Sequence, residues 1–291
     1  MCDDRTDAEN ERDLRRRGLN PSRRALGMMS LAALAACATS SDGAPRIDED
    51  DVSIPTYDGT CDAYFARPAN QITAGILVWP DIYGLRPAFR TMGKRLAEAG
   101  YAVLTVNQYY RDTRAPLVAE GVETDRAALR ERLSPMIAKL TPAVRTADAM
   151  MFIDWLDGQL NVDPRRKMGV TGYCMGGDFV FRTAAARAAR VGAAASFHGG
   201  GLVTDSPVSP HQLISAMTAG SLIAIAQNDD ASAPEDKDVL AAAFERAELE
   251  AEIEVYPANH GWCVIDSPSY DHDQAERAWA NMLALFEKQL S

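Results

Sequence analysis

The run Gly172-Tyr173-Cys174-Met175-Gly176-Gly177 carries the strongest chemical signal in this 291-residue chain. A cysteine with glycine two places before and two places after suits a sharp strand-to-helix turn. The small residues let the two backbones approach, and the side chain between them is presented in a strained conformation. A helix beginning at the thiol adds positive potential, which favours the nucleophilic thiolate over the thiol. Such a nucleophile needs a base, and the base needs an acid to orient it. In the order nucleophile, acid, base, the candidates are Asp229 and Asp230, in Gln227–Pro234, expected as a polar loop at the carboxyl end of a strand, and His260, in Asn259-His260-Gly261-Trp262. Either aspartate fits the acid. His198, in Phe197-His198-Gly199-Gly200, also follows a strand-like run and reads as a packed or hydrogen-bonded histidine that could line the same cleft. The backbone N–H groups of Ile82 and Met175 are the expected pair of donors for a developing oxyanion.

These residues are only useful if the fold brings them together. Short continuous apolar runs at Ala74–Trp79, Tyr101–Val106, Met168–Tyr173, Val191–Phe197, Leu222–Ala226 and Ala251–Tyr256 read as strands buried on both faces. Helical spacing fills most of the intervals, so the expected class is α/β. The expected architecture is three layers with a mainly parallel central sheet. Two further strands near residues 52–56 and 60–66 add an antiparallel edge. Cys174, the aspartates and His260 each follow a strand, so all fall at the carboxyl edge of the sheet, where open α/β sheets place their sites. Residues 51–291 form one domain in this reading.

Composition narrows the partners. The net charge of -11 argues against a nucleic-acid ligand. Against that balance, residues 11–24 carry Arg12, Arg15, Arg16, Arg17, Arg23 and Arg24. The pair Arg23-Arg24 leads into an apolar run, Ala25 to Ala36, which is too short to span a bilayer stably but suits an export signal. The run ends in Leu34-Ala35-Ala36-Cys37, similar to a bacterial lipobox. Residues 1–45 are therefore expected to be a twin-arginine export signal and the start of a tether, with Cys37 lipidated and able to hold the protein at a membrane. The expected location is periplasmic, with cytoplasmic as the alternative, and the expected state is monomeric.

Residues 55–290 resemble the dienelactone hydrolase family. The resemblance rests on Trp79-Pro80-Asp81-Ile82-Tyr83-Gly84-Leu85, Leu96-Ala97-Glu98-Ala99-Gly100-Tyr101, the run around Cys174, and His260-Gly261-Trp262. It implies an α/β-hydrolase fold and a Cys174–Asp230–His260 triad. Asp230 is preferred because Pro234 stands where the family's acid loop has its proline. It implies hydrolysis of a lactone or carboxylic ester, a small molecule, through an acyl-enzyme on Cys174, with no metal and no organic cofactor. Two departures concern activation and substrate. The family's thiol-pairing glutamate falls on Asp81, one methylene shorter, and the substrate-binding arginine expected after the histidine is missing. Asp81, Tyr83, Arg111, Arg126 and Trp262 are the remaining candidates for pairing the thiol or touching substrate. A general carboxylesterase or thioesterase is the alternative activity, and a non-catalytic binding protein with this fold is the alternative class.

Overall fold

The computed structural model describes residues 45–118 and 125–291, together with residues 9, 10, 12, 13 and 16. The Arg23-Arg24 pair, the apolar run Ala25 to Ala36 and Cys37, on which the expected export and lipidation rest, lie outside the described residues. Strands β1 (Ile47–Thr56), β2 (Gly59–Pro68), β3 (Gly75–Trp79), β4 (Ala102–Val106), β5 (Met168–Tyr173), β6 (Val191–Phe197), β7 (Gly220–Ala226) and β8 (Ala251–Tyr256) form one eight-stranded sheet in the order β1-β2-β4-β3-β5-β6-β7-β8. β1 and β2 make the antiparallel edge. It is longer than expected, since the pairing runs from Ile47 opposite Pro68 to Thr56 opposite Gly59. From β4 onward each neighbouring pair is parallel.

Helices cover both faces. They are α1 (Pro87–Glu98), α2 (Arg126–Lys139), α3 (Pro142–Asp157), α4 (Gly176–Ala186), α5 (Gln227–Ser232), α6 (Asp236–Arg246) and α7 (His272–Gln289). The residues of β3, β4, β5 and β6 are buried along their whole length, which is why these strands read as unbroken apolar runs. One core cluster, with Trp79, Phe152, Phe179 and Val180, lies under α3 and α4. The other, with Phe89, Tyr173, Phe197 and Phe286, lies under α1 and α7. Helix starts follow local chemistry. Asp125 caps α2 by accepting from the Ala127 N–H at 2.9 Å, and Thr141 caps α3 ahead of Pro142.

The polar run after β7 departs from expectation. It is not a loop but the six-residue helix α5. This difference decides how the acidic residues of the site are oriented. Among the described residues, no helix is long and apolar enough to cross a membrane.

Candidate active site

Cys174 sits between the end of β5 and the start of α4 with φ = 55°, a left-handed conformation that a non-glycine residue adopts only when its surroundings impose it. The glycines around it show what imposes it. A Cβ on Gly172 would lie 2.2 Å from the Gly176 carbonyl oxygen, and one on Gly176 would lie 2.5 Å from the Trp79 carbonyl oxygen. Strand, helix and the end of β3 therefore meet at distances that only glycine permits. The turn is pinned by the Cys174 N–H donating to the Phe197 carbonyl at 3.0 Å and the Gly177 N–H donating to the Cys174 carbonyl at 3.0 Å.

His260 lies past β8, followed by Gly261 at φ = 93°, which turns the loop back towards the sheet. Its backbone N–H donates to Asn228 Oδ1 at 2.8 Å, and Gln227 Nε2 donates to Asn259 Oδ1 at 2.9 Å. The start of α5 thus holds the histidine loop from two sides. The imidazole Nδ1 lies 2.7 Å from Asp229 Oδ2. Asp230, the expected acid, points elsewhere, with its Oδ1 accepting from Lys237 Nζ at 2.6 Å. The reason is helical: successive side chains on a helix diverge by about 100°. In a helical turn only one of two adjacent aspartates can face His260, and here it is Asp229.

The thiol of Cys174 and ring nitrogens of His198 and His260 all lie within 4.8 Å of one another, and all three residues are buried. Burial alone would lower the basicity of His260. The charge of Cys174, then the charge and hydrogen bond of Asp229, outweigh that and push its pKa up to about 10. The balance favours the protonated imidazole at His260. His198 shifts the other way, because burial pulls it below the usual imidazole value against the opposing influence of Cys174. Its backbone is also strained, at φ = 40°, and its N–H donates to the Ala224 carbonyl at 2.7 Å. The His198 and His260 rings meet edge to face, 4.6 Å between centroids. His198 is therefore packed, as expected, but packed directly against the Cys174 thiol and the His260 ring.

The remaining candidates are placed as follows. Ile82 stands just past β3 and Met175 directly after the thiol, at the same sheet edge. The Ile82 carbonyl accepts from Tyr109 Oη at 2.8 Å, which fixes the peptide on its far side. Both carboxylate oxygens of Asp81 are engaged by Arg86, at 2.7 and 2.9 Å, and Oδ1 also accepts from the Tyr83 N–H at 2.8 Å. The same guanidinium grips both oxygens of Asp266, at 2.7 and 2.8 Å. Arg86 thus clamps the loop after β3 to the segment after His260. Sequence reasoning missed it, although Arg86 lies just before Pro87 and five residues from Asp81. Arg111, expected as a substrate contact, is engaged by Asp58 and Asp148. Arg126 opens α2, and its side chain lies outside the described residues. Tyr83 is half-buried, with the Arg86 guanidinium 5.8 Å from its ring centroid. Trp262 is fully buried, stacked on Tyr256 at 5.1 Å and edge-on to His198 at 5.3 Å, so it backs the histidine and presents no surface to a substrate. From the N-terminal segment, Asn10 Nδ2 donates to the His260 carbonyl at 3.2 Å, and Asn228 Nδ2 donates to Glu9 Oε2 at 3.4 Å.

A mainly parallel sheet flanked by helices, a strained cysteine turn after β5 and a histidine after β8 are the features of an α/β-hydrolase fold. More narrowly, residues 61–290 match the model of the dienelactone hydrolase family, and the chain belongs to that family, which is hydrolytic. It is 28% identical over 242 residues to a provisionally named carboxymethylenebutenolidase of Escherichia coli, covering 81% of this chain and 85% of that one. It is 26% identical over 223 residues to a carboxymethylenebutenolidase of Rhodococcus opacus, covering 74% of this chain and 81% of that one. The crystal structure of a provisionally named dienelactone hydrolase from Klebsiella pneumoniae superposes with a TM-score of 0.71 at 28% identity, covering 84% of this chain and 99% of that one. A dienelactone hydrolase from Anabaena variabilis, at 16% identity and a TM-score of 0.60, shares the fold, with coverage of 84% and 99%.

Proposed function

We propose that the protein hydrolyses a lactone or carboxylic ester, of the carboxymethylenebutenolidase type, through an acyl-enzyme on Cys174. The observation that carries this reading is the chain of contacts from Asp229 through His260 to Cys174 at the carboxyl edge of the sheet. Asp229 holds His260 Nδ1 and so directs Nε2 at the thiol. The thiolate attacks the carbonyl carbon, and the developing oxyanion is met by the Ile82 and Met175 N–H groups. His260 then protonates the leaving alkoxide or ring oxygen. In the second half it takes a proton from water, which attacks the thioester and frees the acid product. The Asp81 carboxylate, held by Arg86, serves to shape the oxyanion loop in this scheme.

The test is hydrolysis of p-nitrophenyl acetate and of a dienelactone by wild type, Cys174→Ala and His260→Ala. Loss of activity in both variants is expected, and wild-type rates in both would overturn the mechanism. A strong preference for the acidic lactone over neutral esters would separate the lactonase from a general carboxylesterase. We further propose that the enzyme is exported through its twin-arginine segment and lipidated at Cys37. Palmitate labelling in a host with that pathway is the expected result, and a soluble, unlabelled product retaining Met1 would refute it.

A further inference from the structure

We infer that Cys174, His198 and His260 together form a binding site for a soft or borderline divalent cation such as Zn2+, and that a bound ion caps the nucleophile. This goes beyond the hydrolytic reading, because it needs only the three donors and not their catalytic roles. The ligand types are those zinc prefers: one thiolate sulfur and two imidazole nitrogens, with a fourth position left for water. Their ligand atoms lie within 4.8 Å of one another. Tetrahedral legs of about 2.0–2.3 Å set donors roughly 3.3–3.8 Å apart, so closing on an ion needs side-chain shifts on the order of 1 Å.

Two further observations separate this cluster from an ordinary catalytic Cys–His pair. First, His198 is almost fully buried, yet its ring nitrogens meet no nitrogen or oxygen partner among the described residues; what they face is the Cys174 thiol. Buried imidazoles nearly always find an oxygen or nitrogen partner, so one left with a soft thiol and a second imidazole as its polar neighbours points to a ligand. Second, the Asp229–His260 contact is the carboxylate–histidine arrangement that orients imidazoles towards metals: Nδ1 is held and Nε2 is left for coordination. His198 is fixed in place by the Ala224 carbonyl and by the Trp262 ring. On loading, metal–sulfur and metal–nitrogen bonds form, Cys174 binds as thiolate and both histidines as neutral imidazoles, and the proton shared by Cys174 and His260 is released to solvent. The consequence is a reversible, metal-dependent block of the hydrolase, and the ion is not a cofactor.

The test uses the full chain, stripped with EDTA and titrated with Co2+ as a spectroscopic probe and with Zn2+ as the inhibitor. One equivalent of Co2+ should give thiolate-to-metal and tetrahedral visible bands, and Zn2+ should inhibit p-nitrophenyl acetate hydrolysis until EDTA is added. Cys174→Ser should lose the thiolate band. His198→Ala and His198→Gln should weaken Co2+ binding by roughly 10–100-fold or more, as loss of a metal-site residue does. Absence of one-to-one binding in wild type, or an unchanged thiolate band in Cys174→Ser, would overturn the proposal whether or not the His198 variants fold. Wild-type Co2+ affinity in a folded His198 variant would overturn the three-donor site. Binding is read by absorption, so a failed metal site and a failed hydrolase mechanism are distinguishable.

Discussion

The two adjacent aspartates allow a sharp test of the site. Asp229 Oδ2 lies 2.7 Å from His260 Nδ1, while Asp230 Oδ1 lies 2.6 Å from Lys237 Nζ. Replacing Asp229 by Asn keeps the shape but removes the charge facing His260 and puts an N–H donor in place of one carboxylate oxygen, which favours the wrong tautomer. A hydrogen bond between charged groups is worth about 1.5–3 kcal/mol, and each 1.36 kcal/mol of barrier is tenfold in rate, so kcat/KM should fall by roughly 10–150-fold. Asp230→Asn breaks a partly exposed ion pair away from the histidine and should leave kcat/KM indistinguishable from wild type. The assay is steady-state hydrolysis of p-nitrophenyl acetate by both single variants, with thermal melts to confirm folding. The argument fails if Asp230→Asn loses as much as Asp229→Asn, or if both variants are fully active.

Further expectations follow from the same geometry. Because the pKa of His260 is pushed up to about 10, the thiolate–imidazolium pair should persist through neutral pH, with kcat/KM falling on the alkaline side near that value. By linkage, the stability contributed by protonated His260 is complete below its unfolded pKa of about 6.5 and is lost as pH rises through the folded value, so chemical denaturation should show the loss on the alkaline side. Gly176→Ala would put a Cβ 2.5 Å from the Trp79 carbonyl oxygen; it should cost about 1–3 kcal/mol in urea unfolding and also reduce kcat by displacing the loop after β3. Arg86→Met leaves the largely buried Asp81 without its partner, which should cost about 1–3 kcal/mol in the same measurement and slow hydrolysis. Removing residues 1–44 should leave kcat/KM on p-nitrophenyl acetate unchanged, since Asn10 reaches only the backbone carbonyl of His260 and not its ring.

How much of this was legible in the sequence depends on the kind of information needed. The buried strands were readable because burial on both faces demands unbroken apolar runs, as in Gly75–Trp79 and Ala102–Val106. The sharp turn at Cys174 was readable because its steric demand falls on glycine, and Gly172 and Gly176 make the close backbone contacts that demand requires. The choice between Asp229 and Asp230 was not readable, since it depends on whether Gln227–Ser232 is a loop or a helical turn. A polar segment with no apolar face gives no periodic signal for either. Family likeness favoured Asp230 through Pro234, but a proline four residues away fixes a loop and not the direction of a carboxylate. The same limit applies to Arg111 and Arg86. Both are arginines near the sheet edge, and only three-dimensional pairing shows that Asp58 and Asp148 hold the first while the second clamps Asp81 and Asp266.

That clamp bears on how the thiol is activated. A carboxylate free to approach Cys174 would raise the cost of forming a thiolate, because like charges repel. With both oxygens of Asp81 gripped by Arg86, its negative charge is offset where it stands, and the groups left beside the sulfur are two imidazoles. One is held cationic by Asp229 and by the thiolate itself. The other is kept neutral by burial. A cationic partner stabilises the thiolate, and a neutral one leaves room for it without adding a competing charge. Shortening the family's glutamate to Asp81 is therefore compatible with an active thiol. It follows that Arg86→Met should shift the pH dependence of Cys174 alkylation towards higher pH, because it frees an uncompensated carboxylate beside the oxyanion loop. An unchanged alkylation profile would show that Asp81 has no electrostatic reach to the sulfur at all.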